Sequence, residues 1–469
     1  MAKKDKTTGE LLQEKLAFKP ESGGIKMPDE EIEKAFAFCE GYKNFLDAGK
    51  TERECVEWTI SLLEKNGYKP FDPLKTYKAG DKVFLANRGK ALIFAAIGER
   101  PLSDGVKILA SHVDSPRIDL KQRPLYEEAQ LAMLKTHYYG GIRKYQWVAM
   151  PLALYGVIVK KDGQTVKVNI GNANDDPVFC ITDLLPHLAK DQEKRSLAEG
   201  IKGEELNVLT GSLPFKDDKA SEKVKLNILR LLNEKYGVVE EDFLSAELCL
   251  VPAFNARDVG LDRSMVGSYG HDDRVCAYTS IMAGLDASNP KYTWINVLAD
   301  KEETGSDGNT GLQSRFLENF ICDLAKPHKL EGRRVLEKSE CISADVNGAF
   351  DPTFPDVHDK KNCCYIGYGA VMSKYTGARG KASTNDAGAE FVGKIRRLFD
   401  GAKVQWQTAE LGKVDHGGGG TVAKFIANLG ADVVDIGVPV LSMHAPMEVV
   451  GKIDVYNAYR AFHAFIIQG

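Results

Sequence analysis

The sequence predicts a layered α/β fold, a mixed sheet flanked by helices, with a smaller β-rich unit inserted into it. Two patterns carry this expectation. Short apolar runs alternate with amphipathic stretches over most of the chain. The texture then changes between Arg123 and Phe254. A third pattern places a site: His, Asp or Glu recurs just past several of the apolar runs, where strands of open α/β sheets present their ligands.

In chain order, Glu30–Ala48 and Thr51–Asn66 read as helices, the second opened by a capping box of Thr51 and Glu54. Strands are expected at Ala91–Ile97, Val106–Ser111, Thr293–Ala299, Cys341–Ala344 and Val433–Met443, each a short apolar run. Amphipathic spacing predicts helices at Arg274–Asp286, Ala387–Phe399, Thr421–Leu429 and Asp454–Ile467. The middle region carries strand-like Pro151–Val159 and Thr165–Ile170, then a Lys/Glu-rich stretch, Asp191–Lys225, read as a solvent-facing loop. A length of 469 residues suggests about three domains. The pattern reduces this to two: a split domain over 1–122 and 255–469, and an insert over 123–254.

Composition narrows the function. Apolar residues at 43% and charged residues at 27% are ordinary for a globular protein. Lys and Arg number 62 against 66 Asp and Glu, a net charge of −4 without a polybasic block, which argues against nucleic acid as a partner. The longest apolar run, Val148–Val159, is too short to span a bilayer and contains Pro151, so no membrane partner is expected. Met1–Pro20 lacks the apolar core of a signal peptide. The nine cysteines form no C-x-x-C pair and read as reduced thiols, which suits a cytoplasmic chain. A chain this long needs no metal to hold its fold, so a metal site would imply chemistry.

Five segments carry candidate ligands. Ala110-Ser-His112-Val-Asp114 places a carboxylate where it can orient an imidazole. Gly270-His-Asp272-Asp273-Arg274 offers two carboxylates at a helix start, as caps or as a metal bridge through either one. Asp300-Lys-Glu302-Glu303-Thr-Gly-Ser306 follows a buried run; one glutamate can ligate a cation while the other serves as general base. Ser343-Ala-Asp345 and Ser442-Met-His444 each follow a further apolar run. Mixed imidazole and carboxylate donors suit zinc, manganese or cobalt better than magnesium. Five ligands (His112, Asp272, Glu303, Asp345 and His444), one of them bridging, would hold two metals about 3.5–4 Å apart, with Glu302 left unbound. This is hydrolase chemistry. No serine sits in G-x-S-x-G, so the His416-Gly-Gly-Gly-Gly420 run, which resembles a lipase oxyanion loop, has no nucleophile to serve. H-E-x-x-H and a Walker A sequence are also absent.

In this order and spacing the five motifs resemble those of the dinuclear metallo-aminopeptidases around aspartyl aminopeptidase and yeast vacuolar aminopeptidase I, over nearly the whole chain. The resemblance implies a three-layer, zinc-peptidase-like catalytic domain with an inserted dimerisation domain. It implies two divalent metals, most readily zinc, one on His112 and Asp345 and the other on Glu303 and His444. Asp272 would bridge them, with a cis peptide bond to Asp273. Glu302 would be the general base, and Asp114 would orient His112. His187 matches a histidine that reaches a neighbouring subunit's site to stabilise the oxyanion, so the expected state is a homo-oligomer of dimers, a tetrahedral dodecamer. The implied substrates are peptides losing their N-terminal residue. Lys374, near Arg379 and Lys381, matches a position linked to acidic side chains, which favours an acidic-to-broad preference. The Gly270–Arg274 segment is closer to the vacuolar branch and its neutral preference. A deacylase of the same clan and a non-catalytic assembly protein are the rival readings.

Overall fold

The computed structural model describes residues 6–173 and 175–469; the first five residues of the Met1–Pro20 segment lie outside it. The main sheet has nine strands. Its four central strands, Trp294–Ala299, Lys107–His112, Glu340–Ser343 and Asp432–Gly437, lie side by side and parallel. Ala91–Ala96, Lys82–Asn87 and Lys69–Pro70 extend one edge. Ala370–Ser373, antiparallel to its neighbour, and Trp406–Thr408 extend the other.

Strand alternation sets the layers. Along Ala91–Ala96 all six residues are buried. Ile93 and Ala95 face helices Phe316–Ala325, Gly332–Leu336 and Ala423–Ala427 through Phe320, Val335 and Ile426. Leu92, Phe94 and Ala96 face helices Asp29–Ala48, Glu52–Lys65, His271–Asp286, Ala389–Gly401 and Lys452–Gln468. A sheet with both faces covered needs continuous apolar strands, which is why these runs are apolar throughout. The fold is a three-layer α/β architecture. The Glu54 carboxylate accepts the Thr51 N–H (3.1 Å), as the capping box requires.

A second sheet is antiparallel throughout and runs Thr165–Ile170, Leu152–Val159, Ala246–Pro252, Arg117–Glu128, Leu131–Tyr139, Val208–Gly211, Cys180–Ile181. Helix Lys223–Tyr236 packs on it through Val224. The chain leaves the main sheet after His112, and the Arg117–Glu128 strand of the second sheet crosses residue 123, with an irregularity in its pairing between Leu120 and Leu125. Polar residues on its solvent-facing side hide that strand from a hydropathy reading. Within the charged stretch, Val208 is buried on the second sheet.

A third sheet, of five short strands, runs Arg257–Val259, Met265–Ser268, Glu448–Gly451, Pro439–Leu441, Asn347–Gly348. It corrects the expected Val433–Met443 strand, which splits into Asp432–Gly437 in the main sheet and Pro439–Leu441 in this one. At the break a Cβ on Gly437 would lie 1.7 Å from the Asp345 carbonyl oxygen, and Pro439 has no N–H for a continuing ladder. Among the described residues, no helix is long and apolar enough to cross a membrane.

Candidate metal centre

His112 ends its strand, and Asp345 follows the neighbouring Glu340–Ser343 strand. Glu302 and Glu303 sit on a short turn after Trp294–Ala299, entered through Lys301 at φ +65°. These three strands are parallel neighbours, so their carboxyl ends deliver the side chains to one place. Asp272 and Asp273 come from the irregular first turn of helix His271–Asp286, joined by a cis peptide bond. His444 follows Pro439–Leu441 of the third sheet.

The two histidines face opposite oxygens of one carboxylate. His112 Nε2 lies 3.2 Å from Asp272 Oδ1, and His444 Nε2 lies 3.1 Å from Asp272 Oδ2. Asp345 and Glu302 approach His112 Nε2 at 3.9 and 4.0 Å, and Glu303 approaches His444 Nε2 at 3.5 Å. On their far sides the rings donate elsewhere: His112 Nδ1 to the Asp114 carbonyl (3.0 Å) and carboxylate (3.2 Å), and His444 Nδ1 to the Gly141 carbonyl (2.9 Å). Both rings therefore turn Nε2 toward the carboxylates, the arrangement that presents an imidazole to a metal.

The donor set fits a divalent cation. Asp272 Oδ1, Asp273 Oδ1 and Glu303 Oε1 are buried without an aligned hydrogen-bond donor, a costly state for carboxylate oxygens. Two groups place ligand atoms close enough to share an ion: His112, Asp272 and Glu303, and His112, Asp273 and Asp345. Asp273, which the sequence leaves as an alternative to Asp272, thus stands beside it; its Oδ2 accepts the His112 N–H at 3.3 Å. Burial pushes Glu303 and Asp345 well above the usual carboxylate range, with Asp272 and Asp273 respectively adding to the effect. Glu302 is pushed up to about 7 by burial, opposed by His112 and helped by Asp272. Burial alone would lower both imidazoles. The carboxylates facing them outweigh it, holding His112 well above its ordinary value and His444 at about 10.

Two supporting groups escaped the sequence. Glu448 is fully buried, and its two oxygens accept the N–H groups of Asp272 (3.1 Å) and His444 (2.7 Å). Tyr139, the last residue of a second-sheet strand, donates its hydroxyl to Asp114 Oδ2 at 2.8 Å. His444-Ala-Pro-Met-Glu448 hints at the first by proximity; nothing in the sequence points to the second. The structure does not bring the remaining two candidates to the cluster. His187 is exposed on the Pro186–Leu188 turn, flanked by exposed Leu184, Leu185 and Leu188. Ser373 is level with Asp435, Ser343 and Ala110, so Lys374 leaves the sheet in the direction opposite to His112 and Asp345. Its ammonium pairs with Asp386, which Lys381 also contacts at 2.8 Å.

The family described as Aminopeptidase I zinc metalloprotease (M18) matches residues 45–466. The chain belongs to the M18 family. It is a metal-dependent aminopeptidase, acting on the N-terminal end of peptides. Among curated M18 proteins it is 52% identical to the probable M18 family aminopeptidase 1 of Clostridium acetobutylicum, over 94% of this chain and 97% of that one. The crystal structure of the Thermotoga maritima M18 aminopeptidase superposes with a TM-score of 0.91 at 43% identity, covering 96% of this chain and 100% of that one. The mApe1 dodecamer of S. cerevisiae shares the M18 fold at a TM-score of 0.74 and 20% identity, over 93% and 97% of the two chains.

Proposed function

We propose that this M18 chain works with two divalent metals, His112 and Asp345 holding one, Glu303 and His444 the other, and Asp272 bridging. The observation that carries this reading is the placement of one Asp272 oxygen against each imidazole, at 3.2 and 3.1 Å. Zinc bound there, or manganese or cobalt, supplies a Lewis acid that polarises the scissile carbonyl and acidifies water. Glu302 takes the proton of the attacking water and returns it to the leaving amine; its burial, which raises a carboxylate's affinity for protons, suits both duties. Asp114 keeps His112 oriented and, through the Glu302 and Glu303 N–H groups it accepts at 3.2 Å each, fixes the turn that carries the base. Glu302→Gln tests the assignment. The expected loss in kcat is about 10²–10⁴-fold; activity within tenfold of the parent rejects Glu302 as the base.

His187 acts in a neighbouring subunit, stabilising the oxyanion. Its exposure, on a turn carrying three exposed leucines, supports an intermolecular role, and the dodecameric state of the yeast relative supports assembly of dimers into a closed shell. Residues 1–122 and 255–469 form the catalytic unit, and 123–254 the assembly unit, in the cytoplasm. For the N-terminal residue, two lysines sharing Asp386 leave one positive charge near Arg379, in favour of an acidic-to-broad preference. The direction in which Lys374 leaves the sheet, and its pairing with Asp386, favour the neutral alternative. A profile of Asp, Glu, Leu and Met aminoacyl substrates with the parent and Lys374→Met decides between them.

A further inference from the structure

Three consecutive residues at the end of one second-sheet strand touch three different parts of the metal centre. The Tyr139 hydroxyl donates to Asp114 Oδ2 at 2.8 Å. Gly140, at φ +74°, passes so close to the glutamate turn that a Cβ there would lie 3.3 Å from Glu303 Cβ. The Gly141 carbonyl takes the Nδ1–H of His444 at 2.9 Å. The segment is itself held from behind. The Arg117 guanidinium lies 4.2 Å from the Tyr139 ring centre, and its nitrogens bond Glu52 and Asp119, each at 2.8 Å.

We propose that Tyr139–Gly141 of the inserted sheet positions the catalytic groups on both sides of the centre, with Tyr139 as a positioning residue that acts on Glu302 through Asp114. This rests on the reading of His112 and His444 as metal ligands and of Glu302 as the base. The Asp114 carboxylate is the common point: it faces His112 Nδ1 and accepts the N–H groups of Glu302 and Glu303 as well as the Tyr139 hydroxyl. A carboxylate bound on both oxygens has one orientation. Without the hydroxyl, Asp114 Oδ2 keeps only the longer Glu303 N–H contact at 3.2 Å, so the carboxylate is held less tightly, and His112 and the glutamate turn shift with it. Displacements of about 1 Å at a reacting group cost up to ~10²-fold in rate. Gly141 does for His444 what Asp114 does for His112, so the orienting acceptors of the two imidazoles come from different domains.

The experiment compares the parent, Tyr139→Phe and Gly140→Ala as full chains loaded with zinc or cobalt, with Glu302→Gln as a reference. Tyr139→Phe removes one oxygen and no apolar contact. Its expected result is a kcat lower by ~10–100-fold at a KM within threefold of the parent, with a shifted cobalt visible spectrum and an unchanged melting temperature of the metal-free protein. Parental kcat and cobalt spectrum would overturn the proposal. So would a loss of kcat that comes with a lowered melting temperature and a parental spectrum, the signature of a merely structural tyrosine. Should Tyr139→Phe not fold, Gly140→Ala carries the test: zinc retention against a chelator at least ~10-fold weaker supports the proposal, and parental retention overturns it. If Glu302→Gln keeps parental activity, the failure lies with the reading of the site.

Discussion

Glu448 shows how a residue that offers no oxygen to the proposed metals can govern their site. Its carboxylate spans two backbone N–H groups, one on each of two ligand-bearing segments that are far apart in sequence. A glutamine at 448 has one acceptor oxygen where two donors must be met, so one N–H loses its partner and a ligand backbone is released. Glu448→Gln should weaken zinc binding by ~10–100-fold in a chelator competition; binding within twofold of the parent would show that the span is dispensable. The sequence makes the proposed ligands legible and their supports illegible for the same reason. His112, Glu303 and Asp345 each follow an apolar run, a contrast that any hydropathy reading registers. The partners of the histidines are backbone carbonyls such as that of Gly141, and the partners of Glu448 are backbone N–H groups, which every residue type shares.

Elements with sustained periodicity or an apolar run are readable; those without either are not. The helices predicted at Glu30–Ala48 and Asp454–Ile467 span Asp29–Ala48 and Lys452–Gln468, because buried residues at helical spacing persist over several turns. The third sheet pairs strands of two to four residues from distant segments, so no local pattern announces it. Its one visible trace was Pro439, inside a run too apolar to suggest a change of sheet. The first turn of the last helix carries a further consequence. Asp454 is fully buried and accepts the N–H groups of Gly367 (2.7 Å) and Gly369 (2.6 Å). Burial outweighs those bonds and pushes it up to about 7. A carboxylate whose folded value lies above its unfolded one stabilises the fold fully below the unfolded value, near 4, and loses that contribution as pH rises through about 7. Asp454→Asn stays neutral, so between pH 5 and 8 the unfolding free energy of the parent should fall relative to the variant by about 2–3 kcal/mol. A difference that does not change with pH would mean that Asp454 does not titrate in this window.

At the scale of the molecule, the metals and the assembly are the two dependencies to measure. Buried carboxylates gathered around Asp272 oppose folding unless a cation is present, so stripping the metals should lower the melting temperature. Restoring zinc to 100 times its dissociation constant should return about 2.7 kcal/mol. A melting temperature indifferent to chelation would contradict the metal centre. Assembly can be tested by complementation: His187→Ala and Glu302→Gln chains, each weak alone, should recover activity when mixed and reassembled, because a protomer with intact Glu302 then receives His187 from its neighbour. No recovery on mixing would place His187 outside the reaction. The proposed two-unit division follows a change of texture in the sequence, and the Arg117–Glu128 strand of the second sheet crosses residue 123, where that change falls.

The break at Gly437, where the chain steps from one sheet to the next, has a consequence in time. His444 lies beyond that step in the chain, so it is synthesised after the Asp432–Gly437 strand. A chain emerging from the ribosome therefore carries His112, Asp272, Glu303 and Asp345 well before it can complete the centre. On the proposed ligand set, a nascent chain that has not yet passed Gly437 lacks the imidazole that faces Asp272 Oδ2.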